Sequence, residues 1–164
     1  MATLITRDQW QAYYGVPGAS GGTPTFNLMG EGFTSLSESK NPSEYSRRYI
    51  HEKTERSDVT GFAPSMSYSC DVYSGDPVVD DLLALTDGEV IGSDAQRDIV
   101  AVNLWEQGGA SGSYVAYKRT YSIVPDAKGD GTDALIISGT MKAAGESVKG
   151  TFNTSTKTFT ADSE

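Results

Sequence analysis

The single histidine of the chain lies in a stretch that begins like a metal-binding motif. His51 and Glu52 match the start of the His-Glu-x-x-His pattern, in which two histidines hold zinc and the glutamate activates water. Glu55 takes the place of the second histidine, and the whole chain holds one histidine and one cysteine. A histidine-rich or multi-cysteine metal site is therefore excluded, and we interpret His51 as a histidine in a solvated loop.

Other residues with possible chemistry also lack their partners. Residues 37–40 read Ser-x-x-Lys, but the companion Ser-Asp-Asn and Lys-Thr-Gly elements of serine β-lactamases are absent. Residues 126–131 begin like a calcium loop, but Lys128 stands at the third position and Ile137 stands where a bidentate glutamate is needed, which favours a hairpin turn. Cys70 lies on the apolar face of a predicted strand, which favours a buried structural thiol. We therefore predict no catalytic residue, no metal site and no cofactor.

Carboxylates are concentrated in one part of the chain. The sequence has 22 acidic and 13 basic residues, for a formal net charge of −9. Eight of the acids stand against one arginine, Arg97, in a single segment of net charge −7: Asp71, Asp76, Asp80, Asp81, Asp87, Glu89, Asp94 and Asp98. Asp80 and Asp81 are neighbours on a predicted helix and diverge by about 100°, which favours a solvated acidic face over an acid–base pair.

Length and composition restrict the class of protein. The 164 residues fit one domain, residues 1–164, with an N-terminal arm at 1–25. The negative net charge argues against tight binding to duplex DNA, because lysine and arginine supply most of that affinity. The longest apolar runs have four residues, so we expect no membrane anchor, and the first residues do not read as a secretory signal. The lone cysteine favours folding in a reducing cytoplasm.

Hydrophobic patterns predict the elements that must carry these residues. Residues 65–73 alternate between apolar and polar side chains, as in a half-buried strand. Asp76 as N-cap and Pro77 at the first helical position begin an amphipathic helix that we expect to run to Leu85 or Asp87, with Gly88 as its stop. A capping box of Thr6 and Gln9 predicts a short helix over residues 6–15. Further strands are predicted at 26–36, 44–52, 98–106, 114–124, 133–142, 146–152 and 156–160, with an exposed loop at 53–61.

These seven or eight strands and one firm helix predict a mainly β fold. Such a chain buries its apolar faces by packing two antiparallel sheets, as a sandwich or split barrel, with the helix flanking them.

Several stretches between residues 26 and 152 agree, in order, with one family of proteins. They include residues 41–62, the strand that ends at Asp71-Val72-Tyr73, the helix from Asp76 to Leu85, and residues 89–95 and 117–126. With these stretches the chain resembles the tail tube proteins of siphophages that infect Gram-positive bacteria. No single motif is diagnostic, and tubes of contractile tails and tail-like bacteriocins share the architecture.

The resemblance implies a structural virion protein without catalysis. Such proteins form hexameric rings that stack into a hollow tube, through which genomic DNA passes into the host without specific binding. Further implied partners are the tape measure, distal tail and tail terminator proteins, with assembly in the cytoplasm of the bacterial host and a final location in the virion tail. The fold implied is two packed sheets with a flanking helix and a long loop that bridges neighbouring rings.

Residues 37–62 are the candidate for that inter-subunit loop. Its mixture of charges suits docking on a neighbouring subunit. The candidate interface residues are Glu44, Tyr45, Arg47, Arg48, Tyr49, Lys53 and Arg56. Asp80, Asp81 and Asp87 are the candidates for an acidic face or lumen, where carboxylates would repel passing DNA.

A monomeric binding module is the alternative from a different functional class. In a carbohydrate-binding β-sandwich, for example, Trp10, Trp105 or the tyrosines would form a platform on which a sugar ring stacks.

Overall fold

The computed structural model describes residues 1–163, without the side chain of Asp130; Glu164, the last residue of the predicted domain, lies outside this range. Eleven strands and one α-helix occur in the described part of the chain, which is more strands than the sequence patterns predicted. The strands are β1 (Trp10–Val16), β2 (Thr25–Leu28), β3 (Phe33–Ser39), β4 (Pro42–Arg47), β5 (Arg56–Phe62), β6 (Ser65–Asp71), β7 (Gln96–Gln107), β8 (Ser113–Asp130), β9 (Ile136–Ala143), β10 (Val148–Asn153) and β11 (Thr158–Ala161). The helix is α1 (Pro77–Gly88), and short 3₁₀ helices occupy Arg7–Gln9, Ala19–Gly21 and Gly92–Ala95.

Nine strands form one curled antiparallel sheet, and β4 and β5 form a separate two-stranded sheet. The large sheet has the order β2-β1-β7-β8-β9-β6-β3. Strand β8 is long enough for two partners on one edge, since it pairs with β10 near its beginning and with β9 in its second half. The mainly β fold with a single flanking helix is therefore confirmed.

Two apolar cores lie on opposite faces of the curled sheet. The larger core holds α1 against one face of the sheet, with Met66, Tyr68 and Cys70 of β6 pointing inward. The smaller core is closed by the β10–β11 hairpin, which places Phe152 against Tyr13 with ring centroids 4.4 Å apart.

The predicted helix over residues 6–15 is wrong beyond its first turn. Thr6 and Gln9 cap a 3₁₀ turn, in which the backbone N–H of Thr6 donates to Oε1 of Gln9 at 3.0 Å, and strand β1 follows at once. Tyr13 and Tyr14 are both buried, one in each core. Adjacent side chains point to opposite faces only in a strand, so burial on both sides overrides the helical pattern.

The predicted helix at Asp76 is confirmed, and its end differs by one residue. The Asp76 carboxylate accepts from the backbone N–H of Val78 at 2.9 Å, and Pro77 occupies the first turn. The left-handed residue at the C-terminus is Glu89 (φ 49°), where the sequence indicated Gly88 as the stop.

Three other segments correct the sequence-based prediction. Residues 53–61 are not a loop throughout, because Arg56–Phe62 forms β5 and pairs with β4. The predicted strand 26–36 is split into β2 and β3 by a turn at Gly30–Gly32, and the strand predicted at 44–52 ends at Arg47. The turn predicted at residues 125–131 begins late, because β8 continues to Asp130 with two bulges against β9.

Candidate assembly surfaces

The β4–β5 hairpin leaves the domain through a fixed elbow. Strands β3 and β6 pair up to Ser39 and Ser65, and the chain then bends at Asn41, which has a left-handed backbone (φ 46°). The Asn41 amide donates to the carbonyl of Ala63 at 2.9 Å and to Oγ of Ser65 at 3.2 Å. These bonds join both strands at the bend, so the hairpin continues the β3–β6 pair in a defined direction.

The hairpin is exposed on both faces. Every residue of β4 is exposed, as is every residue of β5 except Gly61. Cross-strand partners share a face. One face carries Pro42 and Phe62 with Glu44 opposite Val59, and the exposed fractions of Val59 and Phe62 are 59% and 62%.

The predicted interface residues all lie on this hairpin or its end loop. Tyr45, Arg47 and Arg56 share the second face, where the Nε of Arg47 donates to the Tyr45 hydroxyl at 2.7 Å. Arg48, Tyr49 and Lys53 lie in the loop between the two strands. Glu44 lies on the first face, beside the apolar side chains.

We name the outer end of the hairpin the basic tip, defined as Arg47, Arg48, Tyr49, Ile50 and Lys53. Ile50 is fully exposed and the other four side chains are also exposed. Arg56 forms an ion pair with Glu52, whereas Arg48 and Lys53 have no side-chain partner within the described chain. The tip thus presents cations and apolar side chains together.

The three predicted acidic-face residues occupy different environments on α1. Asp80 is exposed. Asp87 is half exposed and forms an ion pair with Lys128 of β8 at 2.7 Å. Asp81 is largely buried and ion-paired, so it does not belong to the solvated face on which the sequence placed it.

Asp81 instead joins α1 to two strands. Its Oδ2 accepts from the Tyr14 hydroxyl at 2.5 Å and from Nε of Arg97 at 2.8 Å. The Arg97 guanidinium also donates to the backbone carbonyls of Asp94 and Gln96, both at 2.8 Å. Burial and the neighbouring Asp81 carboxylate raise the pKa of the Tyr14 phenol, so this hydroxyl remains a donor.

Exposed carboxylates lie along α1 and in the segment after its last turn, which also holds an exposed isoleucine. We name this surface the acidic cap, defined as Asp80, Asp87, Glu89, Ile91 and Asp94. Asp80 and Asp87 are seven residues apart and share one face of α1. Glu89 and Asp94 are exposed on either side of Ile91, whose exposed fraction is 84%.

On the face opposite α1, four neighbouring strands are covered with hydroxyl groups. The register of β3, β6, β9 and the second half of β8 aligns three rows of side chains across the sheet. We name this surface the hydroxyl face: Ser35, Ser69, Ser138 and Ala127; Ser37, Ser67, Thr140 and Val124; Ser39, Ser65, Lys142 and Ser122. Each of these side chains is exposed or half-buried, and Lys142 is the one charge among the twelve.

Sequence reasoning did not identify the hydroxyl face. Its signal was present as two serine runs of period two, Ser35-x-Ser37-x-Ser39 and Ser65-x-Ser67-x-Ser69. In the structure these two runs pair with each other. The pairing of β3 with β6 was not predicted, so the runs could not be recognised as one surface.

If the protein were a binding module, its ligand would bind in a cleft near the base of the hairpin. It has a volume of about 480 Å³ and is lined by Trp10, Tyr117, Asn103, Arg119 and Glu38 among others. Trp10 is half-buried under the Arg7 guanidinium, 5.1 Å from the ring centroid. Trp105, the other predicted platform residue, does not line this cleft.

The remaining chemical groups have structural environments. Cys70 is completely buried, and burial raises the pKa of its thiol to about 11. Within residues 1–163, apart from the Asp130 side chain, no group of histidine, cysteine and acidic residues has the arrangement of a metal site. Asp130, which the calcium-loop comparison used, has its side chain outside the described set. None of the described helices is both long and apolar enough to cross a membrane.

Comparison with known proteins gives matches in structure. The sequence matches no family model, and no curated protein matches it either. A chain from the 6-fold symmetrised structure of the anti-feeding prophage (AFP) baseplate aligns with a TM-score of 0.54 and 12% identity, over 91% of this chain and 97% of that chain. A chain from the tail of an empty GTA particle, refined helically with C6 symmetry, aligns with a TM-score of 0.52 and 14% identity, over 96% of this chain and 100% of that chain. The chain therefore has a tail tube-like fold, as the sequence predicted.

Proposed function

We propose that this chain is a structural tail tube protein whose copies form hexameric rings, stacked into a hollow tube for the passage of DNA. The observation that carries the proposal is the β4–β5 hairpin, which is exposed on both faces. A two-stranded hairpin is marginally stable in water by itself and normally gains stability by packing against another surface. Association with further copies of the chain would supply that surface.

The symmetry of the two aligned structures supports a ring. One is 6-fold symmetrised and the other has C6 symmetry, and both align with nearly the whole of this domain. A head-to-tail interface generates a closed ring when successive rotations return to the first subunit. We propose that six copies of this chain close the ring.

Free strand edges offer a way to join neighbouring copies. Strand β3 pairs only with β6, and β8 beyond Ser122 pairs only with β9 in the described chain. The four strands β3, β6, β9 and β8 alternate in direction. Joining β8 of one copy to β3 of the next would therefore continue the antiparallel pattern around a ring, with backbone hydrogen bonds at each junction.

The hydroxyl face is the surface that we propose for the lumen. Hydroxyl groups can remain in contact with water, whereas apolar side chains favour burial between subunits. With one lysine among twelve side chains, this face offers little attraction to phosphate groups. The carboxylates of α1 lie on the other side of the sheet, because α1 packs on the face opposite the hydroxyl face, so Asp80 and Asp87 would not share this lumen.

The kind of particle is also part of the proposal. The sequence resemblance favours a siphophage tail of a Gram-positive host, with tape measure, distal tail and tail terminator proteins as further partners. A tube inside a contractile tail or a tail-like bacteriocin is the alternative, and it shares the same rings. Electron microscopy of intact particles distinguishes them, because a contractile tail carries a sheath around the tube.

Self-assembly of the purified protein tests the proposed function. We expect rings or tubes in negative-stain images and a rising molecular mass with concentration in sedimentation velocity experiments. The matched control replaces residues 42–62 by two glycines between Asn41 and Ala63, whose backbones are already hydrogen-bonded. This variant should keep the wild-type melting temperature and should not stack into tubes, because it lacks the hairpin but keeps the strand edges that join copies within a ring. A wild-type protein that stays monomeric up to about 1 mM, where even a contact of about 4 kcal/mol is half-populated, would overturn the proposal.

A sugar-binding module remains the second candidate because Trp10 and Tyr117 share one cleft. Titration of the cleft with oligosaccharides, followed by tryptophan fluorescence, tests it. A saturable change that is lost in Tyr117→Ala would favour this alternative.

A further inference from the structure

The basic tip and the acidic cap lie at opposite ends of one strand. The hairpin joins the domain at the first residue of β6. At the other end, Asp87 of the cap is ion-paired with Lys128, whose register partner Ile137 lies opposite Cys70, next to the last residue of β6. A strand of seven residues is about 23 Å long, so the two surfaces are well separated on the same copy. They therefore cannot meet within one subunit, but they can meet between two subunits stacked in the direction of β6.

The two surfaces are complementary in charge and in apolar content. The tip presents Arg48 and Lys53 beside the fully exposed Ile50. The cap presents Glu89 and Asp94 beside the exposed Ile91. Ile50 lies among three cations, Arg47, Arg48 and Lys53, with Glu55 as the one exposed carboxylate of the same loop. Ile91 lies between Glu89 and Asp94. This arrangement suits a small apolar contact surrounded by ion pairs.

We propose that the basic tip of one subunit docks on the acidic cap of a subunit in the next ring. This inference rests on the proposed tube function and adds the receiving surface for the hairpin. The contact is head-to-tail, so each copy uses its tip on one neighbour and its cap on another, and stacking can continue without limit. Its charged part is exposed, so elongation should weaken as the salt concentration rises.

Charge reversal tests the contact without disturbing the fold. The tip variant is Arg48→Glu with Lys53→Glu, and the cap variant is Glu89→Lys with Asp94→Lys. None of these four side chains forms an ion pair or side-chain hydrogen bond in the described structure. A matched control, Glu146→Lys, changes the charge at an exposed position outside both surfaces.

We expect each reversed variant alone to form at least about tenfold fewer tubes by light scattering and electron microscopy, while the control elongates like the wild type. Combining both reversals in one chain should restore elongation, because the tip is then acidic and the cap basic. An equimolar mixture of the tip variant and the cap variant should also elongate. The tip variant is acidic on both surfaces and the cap variant is basic on both, so the tip of each matches the cap of the other.

The outcomes separate this inference from the proposed function. If the tip variant and the cap variant each form tubes as readily as the wild type, the inference is overturned and the tube function stands. A tip defect that the cap reversal does not rescue would identify a different partner for the hairpin and would also overturn it. A wild type that never forms rings or tubes would contradict the proposed function itself.

Discussion

Replacing Asp81 by alanine should destabilise the folded subunit much more than replacing its neighbour Asp80. Asp81 is the carboxylate that joins α1 to Tyr14 of β1 and Arg97 of β7, and about one-sixth of its side chain is exposed. Removing one partner of a buried ion pair costs about 3–5 kcal/mol. Arg97 keeps its two bonds to backbone carbonyls, so we expect the lower end, about 3 kcal/mol. For a domain of this size that corresponds to a fall in melting temperature of roughly 6–12 °C.

Urea denaturation followed by circular dichroism measures the effect, with the midpoint expected to fall at an unchanged slope m. The Tyr14→Phe variant removes one bond to the same carboxylate and should cost about 1.5–3 kcal/mol. Because both changes act on one oxygen, the double variant should cost less than their sum by about 1 kcal/mol. Asp80→Ala is the matched control and should stay within about 0.5 kcal/mol of the wild type. If Asp81→Ala lies in that same range, the ion pair does not hold the helix and the reasoning is refuted.

Three further predictions follow from the packing, the hydroxyl face and the buried acids. Gly150→Ala should cost about 3 kcal/mol, since a Cβ would overlap a backbone carbonyl of β11, while Gly145→Ala, with open space around it, should be neutral in the same melting experiment. Ser67→Lys should leave tube formation unchanged but make tubes retain labelled duplex DNA at low salt, and equal DNA retention by wild-type tubes would contradict the lumen assignment. Burial raises the pKa of the Cys70 thiol to about 11 and of the Tyr121 phenol to about 12. The unfolded chain therefore loses these protons first, so stability should be complete below about pH 9 and decline toward pH 12, and a urea midpoint that is constant from pH 8 to 11 would be inconsistent with this.

Local patterns predicted those elements whose burial is one-sided. The alternation at 65–73 and the Asp76-Pro77 start of α1 each have one apolar face, and both elements are present. The error at residues 10–15 has the opposite cause. Tyr13 is buried on one side of the strand and Tyr14 on the other. A strand between two cores has apolar side chains on both faces, so its sequence does not alternate with a period of two.

The candidate surfaces depend on contacts between distant parts of the chain, and this limits prediction from sequence. The segment that forms the exposed hairpin was singled out because eight charged side chains lie between residues 44 and 58, but its second strand was not predicted. Asp81 was assigned to a solvated face because its partner Arg97 is brought near only by the packing of α1 on β7. The hydroxyl face likewise requires the register of four strands, which the alternation within each strand does not specify.

The elbow at Asn41 has a consequence for how growth of the proposed tube can be corrected. The hairpin folds outside both cores, so a subunit can complete its own core before it meets a neighbour. Each proposed tip contact would be small and reversible, whereas six tips on a proposed ring would act together, and simultaneous contacts strengthen binding far beyond any single one. A misplaced ring, in which only some tips reach a cap, would dissociate quickly, and a correctly seated ring would persist. The two hydrogen bonds of the Asn41 amide, which fix the direction of the hairpin, would then favour correctly placed rings over misplaced ones.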